Sequence, residues 1–190
     1  MALRYQMSIC STRYMRRVKP RRMSVVPSLS ADLRHGWTAW MRRGLSRRSI
    51  CLRGRGLPYT VFIAAGLVGK PGYFSESDLR SLAADPLCTF GAHTVHHGLL
   101  RFEAEDTVRR EMRDSKDYLE ALLGREVEDF AFPSGSVYVC SRANIEQVQA
   151  CGFRRGFSTL SRSVTASDLR EPWFLPRRNI NDTNLQRKGF

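Results

Sequence analysis

The sequence predicts an α/β fold built on a parallel sheet or a barrel, and two observations support this. From residue 56 onward, short apolar runs alternate with helical patterns in the order βαβαβαβ, which is typical of parallel sheets. The run YTVFIAAG (59–66) is almost continuously apolar, as in a strand that is buried on both faces. Active sites of such folds lie at the carboxyl ends of the strands, so functional residues are expected there.

Each predicted element has a local signal. The helix over 74–86 has Ser75 as its N-cap and Asp78 three residues later. The helix over 103–124 has acids in its first turn and Gly124 as its C-terminal stop. Its apolar residues follow one stripe, Val108, Met112, Leu119 and Leu122. The other predicted elements are strands over 87–93, 127–135 and 153–159 and a helix over 141–152.

The positive charge of the chain is concentrated in its first 55 residues. The formal net charge is +13 over 190 residues, and residues 1–55 hold 14 Lys/Arg and a single acid, Asp32. Residues 56–190 hold 17 basic and 17 acidic residues. We therefore expect a basic, irregular or disordered arm over 1–55 and a globular domain over 56–190. The charge of the arm suits nucleic acid or an anionic membrane surface, but few aromatics and no recognised binding fold argue against nucleic acid.

The cysteines and the apolar runs bound the cellular context. Five cysteines without CxxC spacing argue against a disulfide framework and favour a cytoplasmic protein; Cys88, Cys140 and Cys151 are expected to be buried. No apolar run reaches 18 residues, so no membrane span is expected. The N-terminus lacks the apolar core of a signal peptide, although its Arg-rich, acid-poor composition resembles that of organellar transit peptides.

Three of the four histidines lie in the stretch GAHTVHHGLL (91–100). His93 and His97 are four residues apart, which on a helical turn places both imidazoles on one side at a separation suited to two ligands of one zinc ion. Thr94 could cap that turn through its hydroxyl. The HxxxH spacing alone is a weak signal; the alternative is a pair of polar residues hydrogen-bonded to backbone at a strand end.

Several segments together resemble one family, polysaccharide deacetylases with the NodB-homology domain of chitooligosaccharide deacetylases. GLPYTVFIAAGLVG resembles its second strand, and GAHTVHHGLL resembles its metal motif His-(Ser/Thr)-x-x-His. EMRDSKDYLEALLGREVEDFAFPSG resembles its long helix followed by F-A-Y-P-x-G, and ACGFRRGFST and FLPRRNI resemble later segments. The resemblance covers residues 57–182, with the motifs in family order.

The resemblance implies an irregular (β/α) barrel of the polysaccharide deacetylase type, incomplete at its N-terminus. It implies a metal-dependent hydrolase that removes N-acetyl (or O-acetyl) groups from a polysaccharide or chitooligosaccharide. A divalent metal, usually zinc, would be held by His93, His97 and an aspartate, and would polarise the acetyl carbonyl. The backbone N–H of Ser134 would donate to the developing oxyanion. His96 is expected to be a surface residue or to support the ligands.

The chain departs from the family pattern at two points. The family motif T-F-D-D-G, which supplies the base and the third metal ligand, is expected 20–25 residues before Gly56. That region reads SADLRHGWTAWMRRG, with Asp32 as its one acid, and no histidine follows His97. Base and acid are therefore unidentified, and an impaired enzyme with an open, poorly soluble barrel is expected.

One hypothesis explains the missing motif. Degenerate codons for residues 32–38, read one base later, permit Thr-Phe-Asp-Thr-Asp-Gly, so the arm could be a frame-shifted translation of a deacetylase N-terminus. Two other functions stay open: a non-catalytic glycan- or metal-binding remnant of the family, and a basic-arm binder of nucleic acid or membrane surface.

Overall fold

The computed structural model describes residues 35–38, 56 and 58–177 of the chain. The described strands are β1 (His35–Thr38), β2 (Tyr59–Ile63), β3 (Cys88–Ala92), β4 (Asp129–Ala131) and β5 (Arg155–Phe157). The described α-helices are α1 (Glu76–Ala83), α2 (Glu105–Leu123) and α3 (Arg142–Ala150). Short 3₁₀ turns lie at Ala65–Leu67, Leu100–Phe102 and Pro172–Phe174.

The described strands form one parallel sheet in the order β1-β2-β3-β4-β5. Sequential order without a reversal is the arrangement of a barrel wall, whereas a doubly wound sheet reverses its order at a switch point. A parallel bridge between Phe157 and Leu175 extends the wall beyond β5. The predicted α/β fold is thus confirmed.

Strand β1 lies within the segment expected to be irregular. Its residues pair in parallel with β2, with His35 opposite Tyr59 and Thr38 opposite Phe62. An extended segment here gives the backbone of β2 a hydrogen-bonding partner on its outer side. The expectation of an irregular arm therefore does not hold at these four positions, and the rest of residues 1–55 lies outside the described part.

The outer face of the sheet packs against the helices. Alternate residues of the strands, such as Val61, Phe90 and Phe130, join the buried stripe of α2 in one hydrophobic core. The four residues predicted for that stripe are all buried, which confirms the helical period of the sequence.

The inner face of the sheet holds a different set of side chains. Thr60 and Thr89 hydrogen-bond to each other at 2.7 Å, and Arg155 Nε donates to Asp129 at 2.6 Å. Gly91, which is in register with Asp129, leaves room for the ring of Phe62: a Cβ at Gly91 would lie 2.3 Å from Phe62 Cε1. The interior therefore holds polar pairs beside an aromatic ring.

The helix caps agree with the sequence predictions, whereas two strands end earlier than predicted. Ser75 forms the predicted capping box with Asp78, and Gly124 caps α2 with a left-handed φ of 64°. The strand predicted over 59–66 ends at Ile63, because Ala65 N–H and Gly66 N–H donate to the carbonyls of Thr94 and Val95. The strand predicted over 127–135 is shortened to β4, since Pro133 has no N–H to continue the ladder.

Two further expectations concern cysteines and membranes. Cys88 and Cys140 are buried as predicted, whereas Cys151 is half-buried because it lies at the C-terminal end of α3.

Among the helices of the described ranges, none is both long and apolar enough to cross a membrane.

Candidate metal centre at the carboxyl edge of the sheet

His93 is the first residue after β3 and is almost completely buried. Its N–H donates to the Ile63 carbonyl at 2.9 Å, which continues the pairing of β3 with β2. On the other side, its ring Nδ1 lies 2.5 Å from the Ala131 carbonyl oxygen at the end of β4. A carbonyl can only accept, so Nδ1 carries the proton and Nε2 keeps the lone pair that a metal requires.

His97 lies beside His93. The two ring centroids are 4.7 Å apart with planes inclined at 64°. The backbone between them is not the helical turn that the spacing predicts, because Thr94 and His97 both adopt left-handed conformations, with φ of 66° and 61°. The predicted Thr94 cap does form: its Oγ1 accepts from the His97 N–H at 2.9 Å. The rings thus meet through a capped loop.

Both histidines are held in the neutral form. Burial lowers the pKa of His93 well below its ordinary 6.5, and the nearby His97 and Arg177 lower it further, while the Ala131 hydrogen bond opposes them. Burial also lowers the pKa of His97 to about 4. Neutral imidazole is the form that binds a divalent metal, so the pair is ready to act as ligands at pH 7.

The donor set can be compared with that of a zinc site. The two adjacent neutral imidazoles match two ligand positions of such a site. A backbone carbonyl orients His93 through the ring nitrogen that would not bind the metal, as is common for metal-binding histidines. Within residues 35–38, 56 and 58–177, no cluster of three His, Cys, Asp or Glu side chains is arranged to hold a metal. His93 and His97 therefore fit a metal, and the described part of the chain does not add a third protein ligand.

Ser134 lies three residues beyond Ala131, at the same edge of the sheet. Its φ is 59°, followed by 58° at Gly135, and Gly135 N–H donates to the Pro133 carbonyl at 2.7 Å. The carbonyl oxygens of this tight turn are held by Thr159, whose hydroxyl donates to Ser134 and whose N–H donates to Gly135. Among the described residues no acceptor contacts the Ser134 N–H, and Ser134 itself is exposed.

Glu111 on α2 is a site residue that the sequence did not indicate. Its Oε2 accepts from the N–H groups of Val95 and His96, each at 2.9 Å, and its Oε1 lies 2.5 Å from His96 Nδ1. Partial burial works against the carboxylate, but these bonds outweigh it and lower the pKa of Glu111. The His96 side chain is itself 74% exposed, and its ring contacts Glu111. Its expected surface position is confirmed.

Arg177 is the second such residue. It lies in the FLPRRNI segment, to which the sequence assigns a family resemblance but no role for this side chain. Its guanidinium lies over the rings of Phe62 and Phe157, at 5.3 and 5.9 Å, and its Nε donates to the Ser158 carbonyl. Burial lowers the pKa of Arg177 to about 10, so it stays charged. No described carboxylate pairs with it.

Comparison with known proteins identifies the family and the fold. The family model described as polysaccharide deacetylase matches residues 45–155, which is more than half of the chain. This protein therefore belongs to the polysaccharide deacetylase family. The match begins inside the basic arm and ends in β5. No curated protein gives a significant match to the sequence.

Solved structures show the same fold. A deacetylase, PplD, from Streptococcus pyogenes in complex with acetate is similar with a TM-score of 0.69 and 22% identity, over 80% of this chain and 67% of that one. IcaB from Ammonifex degensii is similar with a TM-score of 0.64 and 19% identity, over 80% and 69%. A CE4 family pseudoenzyme from Bacillus anthracis is similar with a TM-score of 0.55 and 19% identity, over 73% and 44%.

Proposed function

We propose that this chain is a metal-dependent carbohydrate deacetylase of low hydrolytic activity, acting on N-acetyl (or O-acetyl) groups of a polysaccharide or chitooligosaccharide. The observation that carries the proposal is the contact between two neutral imidazoles, His93 and His97, at the carboxyl edge of the sheet. Membership of the polysaccharide deacetylase family supports the reaction class.

Separate residues of the chain would bind the metal and stabilise the developing negative charge. His93 and His97 would hold the metal, zinc being suited to imidazole ligands. When bound, such an ion supplies Lewis-acid chemistry. The Ala131 carbonyl keeps the proton on Nδ1 of His93. The backbone N–H of Ser134 would donate to the oxygen of the acetyl carbonyl as negative charge develops there.

The surface at the same edge supports a sugar substrate. Phe102 and Tyr138 are 72% and 81% exposed, on the loops that follow β3 and β4. The two loops are joined by hydrogen bonds from the Arg101 backbone and guanidinium to the carbonyls of Val139 and Val137. Exposed aromatic rings on these loops are suited to the apolar faces of pyranose rings, since they offer large contact area at low conformational cost.

Two observations favour low activity. The chain contains no Asp-Asp pair and no histidine after His97, so it lacks the family's base and leaving-group acid at their expected places. The half-buried guanidinium of Arg177 also has no partner among the described carboxylates, although charges removed from water are usually paired. The same observations favour a second candidate, a domain that binds acetylated glycan or metal without turnover.

Three measurements on the full chain separate the candidates: zinc stoichiometry, acetate release from N-acetylglucosamine oligomers, and binding of the same oligomers. The proposal predicts about one zinc per chain and slow, chelator-sensitive acetate release, both lost in the His93→Ala and His97→Ala variants. His96→Ala is the matched control, because its ring is exposed. Oligomer or zinc binding without acetate release would favour the second candidate.

The gene region supplies a further test. Sequencing the locus should show a reading frame upstream of Gly56 that encodes T-F-D-(x)-D-G. A chain rebuilt in that frame should release acetate at least 100-fold faster, since it regains the general base, which contributes about 10²–10⁴-fold. If no frame encodes the motif, the frame-shift hypothesis fails.

A further inference from the structure

The loop that joins the two histidines has an unusual backbone that must be held from outside. Thr94 and His97 both lie in the left-handed region, which costs a residue with a Cβ about 1–2 kcal/mol. Such conformations persist only where surrounding contacts impose them. The position of the His97 ring against His93 therefore depends on what binds residues 94–96.

One side of the loop is bound by the backbone that follows β2. Ala65 N–H and Gly66 N–H donate to the carbonyls of Thr94 and Val95, both at 3.0 Å. The approach is close enough that a Cβ at Gly66 would lie 2.9 Å from the Val95 oxygen. These bonds satisfy the carbonyl groups of Thr94 and Val95, while the N–H groups of Val95 and His96 have another partner.

The N–H groups are bound from the opposite side by Glu111. One carboxylate accepts the N–H groups of both Val95 and His96 and contacts His96 Nδ1. Its side chain is 12% exposed. It is also well fixed in place, because Met112 beside it and Val108 one turn earlier are completely buried in the core. A carboxylate that accepts backbone N–H groups makes bonds about twice as strong as neutral ones.

We infer that Glu111 is a positioning residue for the metal centre: its carboxylate holds the 94–97 loop in the conformation that brings the His97 ring to His93. The inference rests on the proposed function, in which these two rings bind zinc. The hydrogen bonds of Glu111 go to the loop backbone and to the exposed His96 ring. Because Glu111 is fixed on α2, its hydrogen bonds hold the loop in one position. Residues that contact metal ligands commonly orient them in this way.

The test compares four variants of the full chain: Glu111→Ala, Glu111→Gln, Asp114→Ala and His96→Ala. Asp114 is an exposed acid on the same helix, so its removal controls for loss of one carboxylate from α2. Zinc affinity is measured by competition with a chromogenic chelator. Hydrogen exchange of the Val95, His96 and His97 amides is measured without metal, and thermal melts establish that each variant is folded.

Glu111→Ala is expected to weaken zinc binding about 10-fold or more, within the 10–100-fold range of such supporting residues, and to accelerate exchange at all three amides. Glu111→Gln retains an acceptor oxygen and should fall between Glu111→Ala and wild type. Asp114→Ala should match wild type, and His96→Ala should keep slow exchange at Val95.

Two results would overturn the inference: zinc affinity of Glu111→Ala equal to that of Asp114→Ala, or unchanged exchange at His97. If the wild-type chain binds no zinc, the proposed function fails. The exchange measurement then still decides whether Glu111 holds the loop. Faster hydrogen exchange of the His97 amide in Glu111→Ala supports this role, and an unchanged exchange rate contradicts it.

Discussion

Phe62 of β2 and Phe157 of β5 are in contact, with ring centroids 5.5 Å apart, although β3 and β4 lie between their strands. In a flat sheet, three steps of about 4.8 Å would separate these strands by about 14 Å. The contact is possible because the sheet curls and both rings point to its concave side. Arg177 covers the pair, so Phe62, Phe157 and Arg177 form one packed unit.

Truncation of this unit should be costly. Phe62→Ala is expected to lower the free energy of unfolding by about 3–5 kcal/mol, because it removes a completely buried ring and leaves a cavity. Phe102→Ala, which removes the same ring from an exposed position, should change it by no more than about 0.5 kcal/mol. Urea unfolding of both variants measures the difference. Similar values for the two would show that Phe62 is not packed inside the barrel.

Gly91→Ala should also destabilise the fold. The new methyl group would lie 2.3 Å from the Phe62 ring and 3.0 Å from the Asp129 carbonyl oxygen, so one of them must shift, at a cost of about 1–3 kcal/mol. Gly98→Ala is the control, since its nearest neighbour would be 3.9 Å away. In the double variant Gly91→Ala/Phe62→Leu, part of the loss should be recovered. A Gly91→Ala protein as stable as Gly98→Ala would contradict the close contact.

The turn at Ser134 allows the roles of two neighbouring residues to be separated. Gly135→Ala places a Cβ 2.8 Å from the Thr159 N–H nitrogen at a φ of 58°, so the turn should open and acetate release should fall at least 10-fold. Ser134→Ala keeps the backbone N–H proposed as the oxyanion donor, so its acetate release should stay within about twofold of wild type. A large loss in Ser134→Ala would instead assign the function to its hydroxyl.

The metal-free protein should lose stability as the pH falls below 6.5. His97 has a pKa of about 4 in the folded state and about 6.5 in the unfolded chain, so the unfolded state takes up the proton first. The contribution of His97 is complete above pH 6.5 and is lost progressively as the pH approaches 4. Between pH 6.5 and 5 the loss is expected to be about 1 kcal/mol, allowing for partial exposure.

Thermal melts between pH 7.5 and 4.5 with a chelator present test this. The His97→Gln variant should show a shallower decline than wild type, whereas the variant of the exposed neighbour, His96→Gln, should follow wild type. Equal slopes for wild type and His97→Gln would mean that burial does not hold His97 neutral.

Much of the architecture could be predicted from the sequence because it depends on local signals. The period of α2, the capping box at Ser75 and the left-handed cap at Gly124 each involve residues within one helix, and all three are confirmed. The ends of the strands were less predictable. Strand β2 stops at Ile63 because the next N–H groups donate to Thr94 and Val95, residues about thirty positions away whose carbonyls no local pattern reveals.

By itself, the sequence determined which residues are candidates: His93 and His97 at a predicted strand end, Ser134 in a Pro-x-Gly turn, and a basic segment without the expected acids. The tertiary structure alone decided how the imidazoles meet. A spacing of four suggested a helical turn, but the loop is bent by left-handed residues and tied to Glu111. Contacts between distant elements outweigh local preference there, because each buried polar group must find a partner wherever the fold provides one.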